Sequence, residues 1–251
     1  MPKLIILGSA NAVADEKHEN THMLLQGRKR TILIDCVNNP VLRLRLAGVD
    51  FNDLTDLVLT HFHPDHVSGV PLLLMNMWLL GRSRSLSIYG LYHTLDRAEN
   101  LMDFYDWSNW LNFFPVAFFR LPEQEKTLLL ESEEFRILAS PVNHLLPTIG
   151  LRIECLETGT VVAYSCDTEP CQQVVELAAQ ADVLIHEASG ASLGHSSASQ
   201  AGSIARQAGV KSLCLIHYPT GEIDSQAVLD QARETFKGKV FLAEDFMTWE
   251  L

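Results

Sequence analysis

Four side chains able to bind a metal fall within six residues at His61-Phe62-His63-Pro64-Asp65-His66. They follow an apolar run, Leu57-Val58-Leu59-Thr60, that reads as a short buried strand. His61 and His63 alternate with Phe62 and Pro64, so extended chain projects both imidazoles to one side. Asp65 and His66 are neighbours and face different ways, which suits two adjacent metal positions. Neutral imidazole with carboxylate fits Zn²⁺, and also Fe²⁺ or Mn²⁺.

Further ligand types stand where other strands should end. A strand over 134–139 runs into Ser140-Pro141-Val142-Asn143-His144, and one over 160–165 into Cys166-Asp167-Thr168. Runs over 181–185 and 212–216 lead into His186-Glu187 and His217. Layered α/β folds gather ligands at strand ends, where loops converge. A lone histidine at such a place is usually structural. The joint pattern points to one shared site.

This order of residues resembles that of the metallo-β-lactamase-fold hydrolases, along essentially the whole chain. Leu7-Gly8-Ser9-Ala10, Tyr164-Ser165-Cys166-Asp167-Thr168, His186-Glu187-Ala188-Ser189 and Gly194-His195-Ser196-Ser197 make it most similar to the ribonuclease Z branch and its phosphodiesterase relatives. The resemblance implies an αββα sandwich with the metals at one edge. It implies one divalent metal at His61, His63 and His144, and a second at Asp65, His66 and His217. Asp167 would bridge them. Zn²⁺ is the first expectation for both, with Mn²⁺ or Fe²⁺ as alternatives.

Two such cations activate a bridging hydroxide and stabilise phosphoryl charge. Asp65 would ligate one metal and manage the proton of the nucleophile. His195, in a loop before a helix, is the candidate to protonate the leaving group, with Glu187 orienting its far nitrogen; the resemblance assigns these two positions the same way. The bland alternative makes His195 a loop residue capping the next helix.

The elements that must position these residues are legible as short apolar runs. Strands are expected over 3–7, 22–25, 31–35, 57–60, 85–89, 116–120, 127–130, 134–139, 151–155, 161–165, 181–185, 212–216 and 240–242. A helix fits 39–47, with Asn39 as N-cap, Pro40 at the first turn and Gly48 beyond the end. Helices also fit 170–179, 198–207 and 225–236, and 70–80 is apolar all round, so it reads as a buried helix. Many strands with outer helices favour the four-layer α/β sandwich over a doubly wound sheet. A chain of 251 residues, 47% hydrophobic with mean hydropathy +0.07, suits a single hydrolase domain over 1–251.

The segment 89–119 is dense in aromatics. Leu101, Phe104 and Tyr105 have the spacing of a core stripe, and Trp107, Trp110 and Phe114 suggest a second apolar face, read first as core packing, with a wall over the active site or a homodimer surface as the alternatives. His18 and His22 read as loop residues, exposed or else rimming the pocket, Asp35 as hydrogen-bonded support for the metal loops, and Cys166 as buried packing. The five cysteines form no paired framework, and no apolar run is long enough for a signal peptide or membrane span, so a cytoplasmic protein is expected.

Charge narrows the substrate. With 19 basic against 31 acidic residues the net charge is −12, which disfavours an extended nucleic-acid surface but leaves short RNA open. Common ribonuclease Z enzymes carry a long basic arm after the motif of His144, and here only Leu145-Leu146-Pro147-Thr148-Ile149 intervenes before the next strand. The reading that follows is a dinuclear phosphodiesterase acting on a small or short phosphodiester. The alternatives are a transfer-RNA 3′-end endonuclease, a thioester or lactone hydrolase, and an inactive metal-binding scaffold.

Overall fold

The computed structural model describes residues 1–221 and 224–251. Two seven-stranded sheets face each other. The first is built from β1 (Lys3–Gly8), β2 (His22–Gln26), β3 (Thr31–Ile34), β4 (Asp56–Val58), β5 (Leu86–Leu91) and β6 (Val116–Leu121), in that order, with the last strand, Thr248–Glu250, beside β1. The second runs β7 (Thr127–Glu131), β8 (Phe135–Val142), β9 (Thr148–Cys155), β10 (Val161–Tyr164), β11 (Val183–Glu187), β12 (Ser212–Ile216) and β13 (Lys239–Leu242). The strand over 248–250, β14, was not expected from its short, mixed sequence; its pairing to β1 creates it.

Period-two alternation sorts the side chains into layers. Leu4, Ile6, Ile32 and Ile34 point between the sheets and meet Phe135, Ile137, Ile153 and Tyr164. Their neighbours Ile5, Leu7 and Leu33 point outward and pack under α1 (Pro40–Leu46), α3 (Val70–Leu79) and α4 (Tyr92–Asp103). Ala163, Leu184, Leu213 and Leu215 do the same under α5 (Gln172–Leu177), α6 (Ala198–Ala208) and α7 (Ser225–Thr235). The result is the four-layer αββα sandwich.

Local signals set the helix ends. Asn39 accepts from the Leu42 N–H before α1, and Ser197 and Gln200 form a reciprocal capping box at α6, which Gly209 ends in the left-handed region. Three expectations need correction. α3 is not buried all round: Leu72 and Leu79 stand exposed, because only one flank reaches the sheet. Phe104 and Tyr105 are not a core stripe; they lie at and beyond the end of α4, where Phe104 is 85% exposed. His22 is not exposed but wholly buried on β2, its Nδ1 donating to the Asn20 carbonyl at 2.8 Å.

The register brings the chemistry together. β3 and β4 run parallel with Ile34 opposite Val58, so Asp35 and the chain from Thr60 leave at one edge. β10, β11 and β12 are also parallel, which delivers Asp167, Glu187 and His217 to the same edge.

Candidate metal centre

Residues that leave the strand ends must turn sharply, and the backbone records it. Asp35, Cys166 and His217, just beyond β3, β10 and β12, hold φ of 60°, 53° and 51°. Left-handed backbone costs a non-glycine residue of order 1–3 kcal/mol and persists where its surroundings hold it. Each is held. Asp35 accepts from the Thr60 N–H and hydroxyl at 2.9 Å. His217 donates its backbone N–H to the Ser9 carbonyl at 2.9 Å. Pro64 starts α2 (Pro64–Val67), a single turn that carries Asp65 and His66.

His61, His63 and His144 meet at one point: His63 Nδ1 lies 3.0 Å from His61 Nε2 and 3.1 Å from His144 Nε2. A second group converges beside it. His217 Nε2 is 3.3 Å from Asp65 Oδ2 and 3.4 Å from Asp167 Oδ2, and His66 Nε2 is 3.5 Å from Asp167 Oδ2. Asp167 Oδ2 also lies 3.9 Å from His61 Nε2, between the two groups.

The outer nitrogens fix which way the rings present their lone pairs. His66 Nδ1 donates to Asp35 at 2.8 Å, His144 Nδ1 to the Gly194 carbonyl at 2.7 Å, and His217 Nδ1 to the Ser189 hydroxyl at 2.8 Å. Each Nε2 is therefore an acceptor aimed at other acceptors. A bound cation would satisfy such a set. His66 Nε2 and Asp167 Oδ1 are buried with no hydrogen-bond partner. The donor chemistry, imidazole and carboxylate, suits divalent metals, and in both groups the donor atoms lie within 4.8 Å of one another.

Electrostatics point the same way. Burial lowers the His66 pKa, but the carboxylates of Asp167 and Asp35 outweigh it and raise it well above the ordinary value. Burial raises the Asp167 carboxyl, yet His217 and His66 hold it well below the usual range. The pocket therefore draws positive charge. His61, by contrast, is pushed well below its ordinary value by burial and then by neighbouring His66.

Glu187 and His195 stand at the rim. Glu187 is fully buried; Oε1 accepts from the Thr168 and Ser196 N–H groups, and Oε2 from the Ser189 N–H. Oε1 also lies 3.0 Å from His195 Nδ1, and that hydrogen bond raises the His195 pKa. The His195 ring is partly exposed and sits 5.0 Å from that of His144. A recess of about 410 Å³ lies over the centre, bordered by Asn11, Ala12, Asp65, Ser189, Ser192 and His195.

Several supporting residues lay beyond sequence reasoning. Ser189 stands in a motif string without an assigned task, and Asn11 with Ala12 carries no signal at all. Gly194 is informative in retrospect: its φ is +81°, and an added Cβ would meet His144 Nδ1 at 2.9 Å. Cys166 packs in the core, and its Sγ also touches His61 Nδ1 at 3.6 Å.

A family model described as Anti-Pycsar protein Apyc1 matches residues 2–240. The chain belongs to that family. It is 28% identical to the ribonuclease Z of Methanothermobacter thermautotrophicus, over all of this chain and 97% of the relative. That alignment extends over 306 positions, more than the 251 residues here, so the relative carries insertions this chain lacks. Among solved structures, the metallo-β-lactamase-fold protein YhfI from Bacillus subtilis superposes with a TM-score of 0.84 at 22% identity, covering 100% of this chain and 99% of its own. The short form of human tRNase Z gives 0.78 at 23%, covering 99% and 98%. The chain is a ribonuclease Z-like, metal-dependent hydrolase of the metallo-β-lactamase fold.

Proposed function

We propose that residues 1–251 form one dinuclear phosphodiesterase domain that cleaves a small or short phosphodiester. The carrying observation is the paired donor set, three imidazoles beside Asp65, His66 and His217, with Asp167 between the groups. His61, His63 and His144 would hold one divalent ion and Asp65, His66 and His217 the other, with Zn²⁺ as the first expectation. Bound there, the ions would supply Lewis acidity to the phosphoryl group and lower the pKa of the attacking water.

The protein's own groups supply the rest. The Asp167 carboxylate offsets repulsion between two cations. Asp65 would accept a proton from the attacking water. Glu187 holds His195 Nδ1–H, which leaves Nε2 to protonate the departing oxygen. The products are a phosphomonoester and an alcohol. A proton donor at the rim favours an alkoxide leaving group, and this argues against a thioester.

The ribonuclease Z reading stays as the second proposal because the curated relatives carry that name. Against extended RNA stand the charge of −12 and the short passage from His144 to β9. Five cysteines, all buried and unpaired, support a reducing compartment such as the cytoplasm. No helix among the described residues is long and apolar enough to cross a membrane. A homodimer through 89–119 is supported by exposed Phe104, Tyr105 and Leu111. The tryptophans are the wrong probes of it: Trp110 stacks on Trp78 at 4.8 Å and Trp107 packs on Phe113. Instead, Phe104→Asp/Leu111→Asp should sediment as a smaller species; an unchanged mass would remove the dimer.

The deciding experiment is metal content per chain with turnover of bis(p-nitrophenyl) phosphate on the same sample, beside an Asp65→Ala control. About two metals with Asp65-dependent cleavage is the expected result. Loaded metal without cleavage moves the reading to the second proposal, checked by salt-sensitive binding of folded RNA. No metal after reconstitution overturns the ligand assignment.

A further inference from the structure

The centre has a second recess on the far side of His144, of about 260 Å³, lined by Asn143, Leu145, Glu169, Leu193 and Gly194. A neighbouring depression shares Glu169 and Leu193 with it and reaches His195. Glu169 is anchored on one side only. Its Oε1 accepts from the Gly194 N–H at 2.9 Å and its backbone N–H donates to the Asn143 carbonyl at 2.7 Å. Oε2 has no hydrogen-bond partner among the described residues. Two leucines flank it with large exposure, Leu145 at 54% and Leu193 at 76%.

We propose that this recess receives the leaving alcohol as a nucleoside, and that Glu169 selects a base bearing an exocyclic amino group. The inference rests on the phosphodiesterase reading above. Four points carry it. His195, the proposed proton donor, lines both the recess over the centre and the depression that runs on to Glu169, so a group protonated there has a path to it. A carboxylate in the recess repels a further phosphate, so the occupant is neutral and offers donors. An anionic acceptor pairs with an amino N–H, whereas the carbonyl that replaces that amine in uracil meets it with repulsion. The exposed leucines supply apolar contact for the ring's faces.

The test compares kcat/KM for cytidylyl-cytidine and uridylyl-uridine, on metal-loaded wild type and on Glu169→Gln. Both substrates are symmetric, so the result does not depend on which nucleoside leaves. Gln keeps a carbonyl for the Gly194 N–H, and the ratio cancels a uniform loss of activity. Wild type should prefer the cytidine substrate by about tenfold, the scale of one hydrogen bond to a charged group, and the variant should lose that preference. A binding readout stands apart from turnover: chemical-shift titration should show cytidine binding wild type more tightly than uridine, with the two converging in Glu169→Gln. An absent preference in wild type, or one retained in the variant, overturns the proposal. Cleavage of bis(p-nitrophenyl) phosphate but of neither dinucleotide overturns the nucleoside assignment alone. Loaded metal with no phosphodiester cleaved overturns the reading beneath it.

Discussion

Glu134 and Glu187 are buried carboxylates solved by the same local chemistry at opposite ends of the sandwich. Glu134 is 3% exposed and accepts from the backbone N–H groups of Arg28, Lys29 and Arg30, stapling the turn between β2 and β3. Glu187 accepts from the N–H groups of Thr168, Ser189 and Ser196 and draws two loops against β11. The difference is the fourth partner. Glu187 also holds an imidazole beside the candidate metal centre, whereas the Arg28 guanidinium near Glu134 points into solvent. A nest of backbone donors is thus a structural device, and function depends on what else the carboxylate touches.

Breaking the comparison at its Glu187 end should have the largest effect. On the proposed reading, His195→Ala is expected to keep its metal content and lose about 10²–10⁴ in turnover, the usual worth of a positioned proton donor. Metal loss in that variant would make His195 structural. Glu187→Gln should cost less, about 10–100-fold, because the ring keeps its place but loses its anionic partner. It should also lower the thermal midpoint, since an amide nitrogen faces backbone donors. Full activity in Glu187→Gln would reduce Glu187 to a loop staple like Glu134.

Glu134→Gln should have the smallest effect on activity and a clear one on stability. A loss of about 1–3 kcal/mol is expected near neutral pH, with turnover unchanged. Burial favours the neutral Glu134 carboxyl, but the Lys29, Arg28 and Arg30 N–H groups outweigh it and hold the pKa below the ordinary value. Its folded value being the lower one, its contribution is fully present above the unfolded pKa and fades as pH falls through the folded pKa. Denaturant midpoints of wild type and variant should therefore converge toward acid. A constant gap across that range would mean the staple acts without its charge.

The outcome for particular residues shows how far the sequence reaches. Metal-binding types after apolar runs are legible because a strand ends where its apolar run ends, and parallel strands share an edge. Asn39, Pro40, Ser197 and Gly209 mark helix ends because capping chemistry is local. His22 misleads because polar neighbours before it resemble a loop, while it already opens β2 and pairs with Gly8 of β1. Phe104 and Tyr105 mislead because helical spacing says nothing of where a helix stops.

The sequence by itself determined the donor set, its order, and the alternation that sorts side chains into four layers, since these depend on residue type and on a period of two. Only the tertiary structure decided which nitrogen of each histidine faces the centre. Those choices rest on Asp35, Gly194 and Ser189, which lie 31, 50 and 28 positions from the rings they hold. It also decided the left-handed turns at Asp35, Cys166 and His217, which the sequence does not mark and which, at Asp35 and His217, contacts from distant segments maintain.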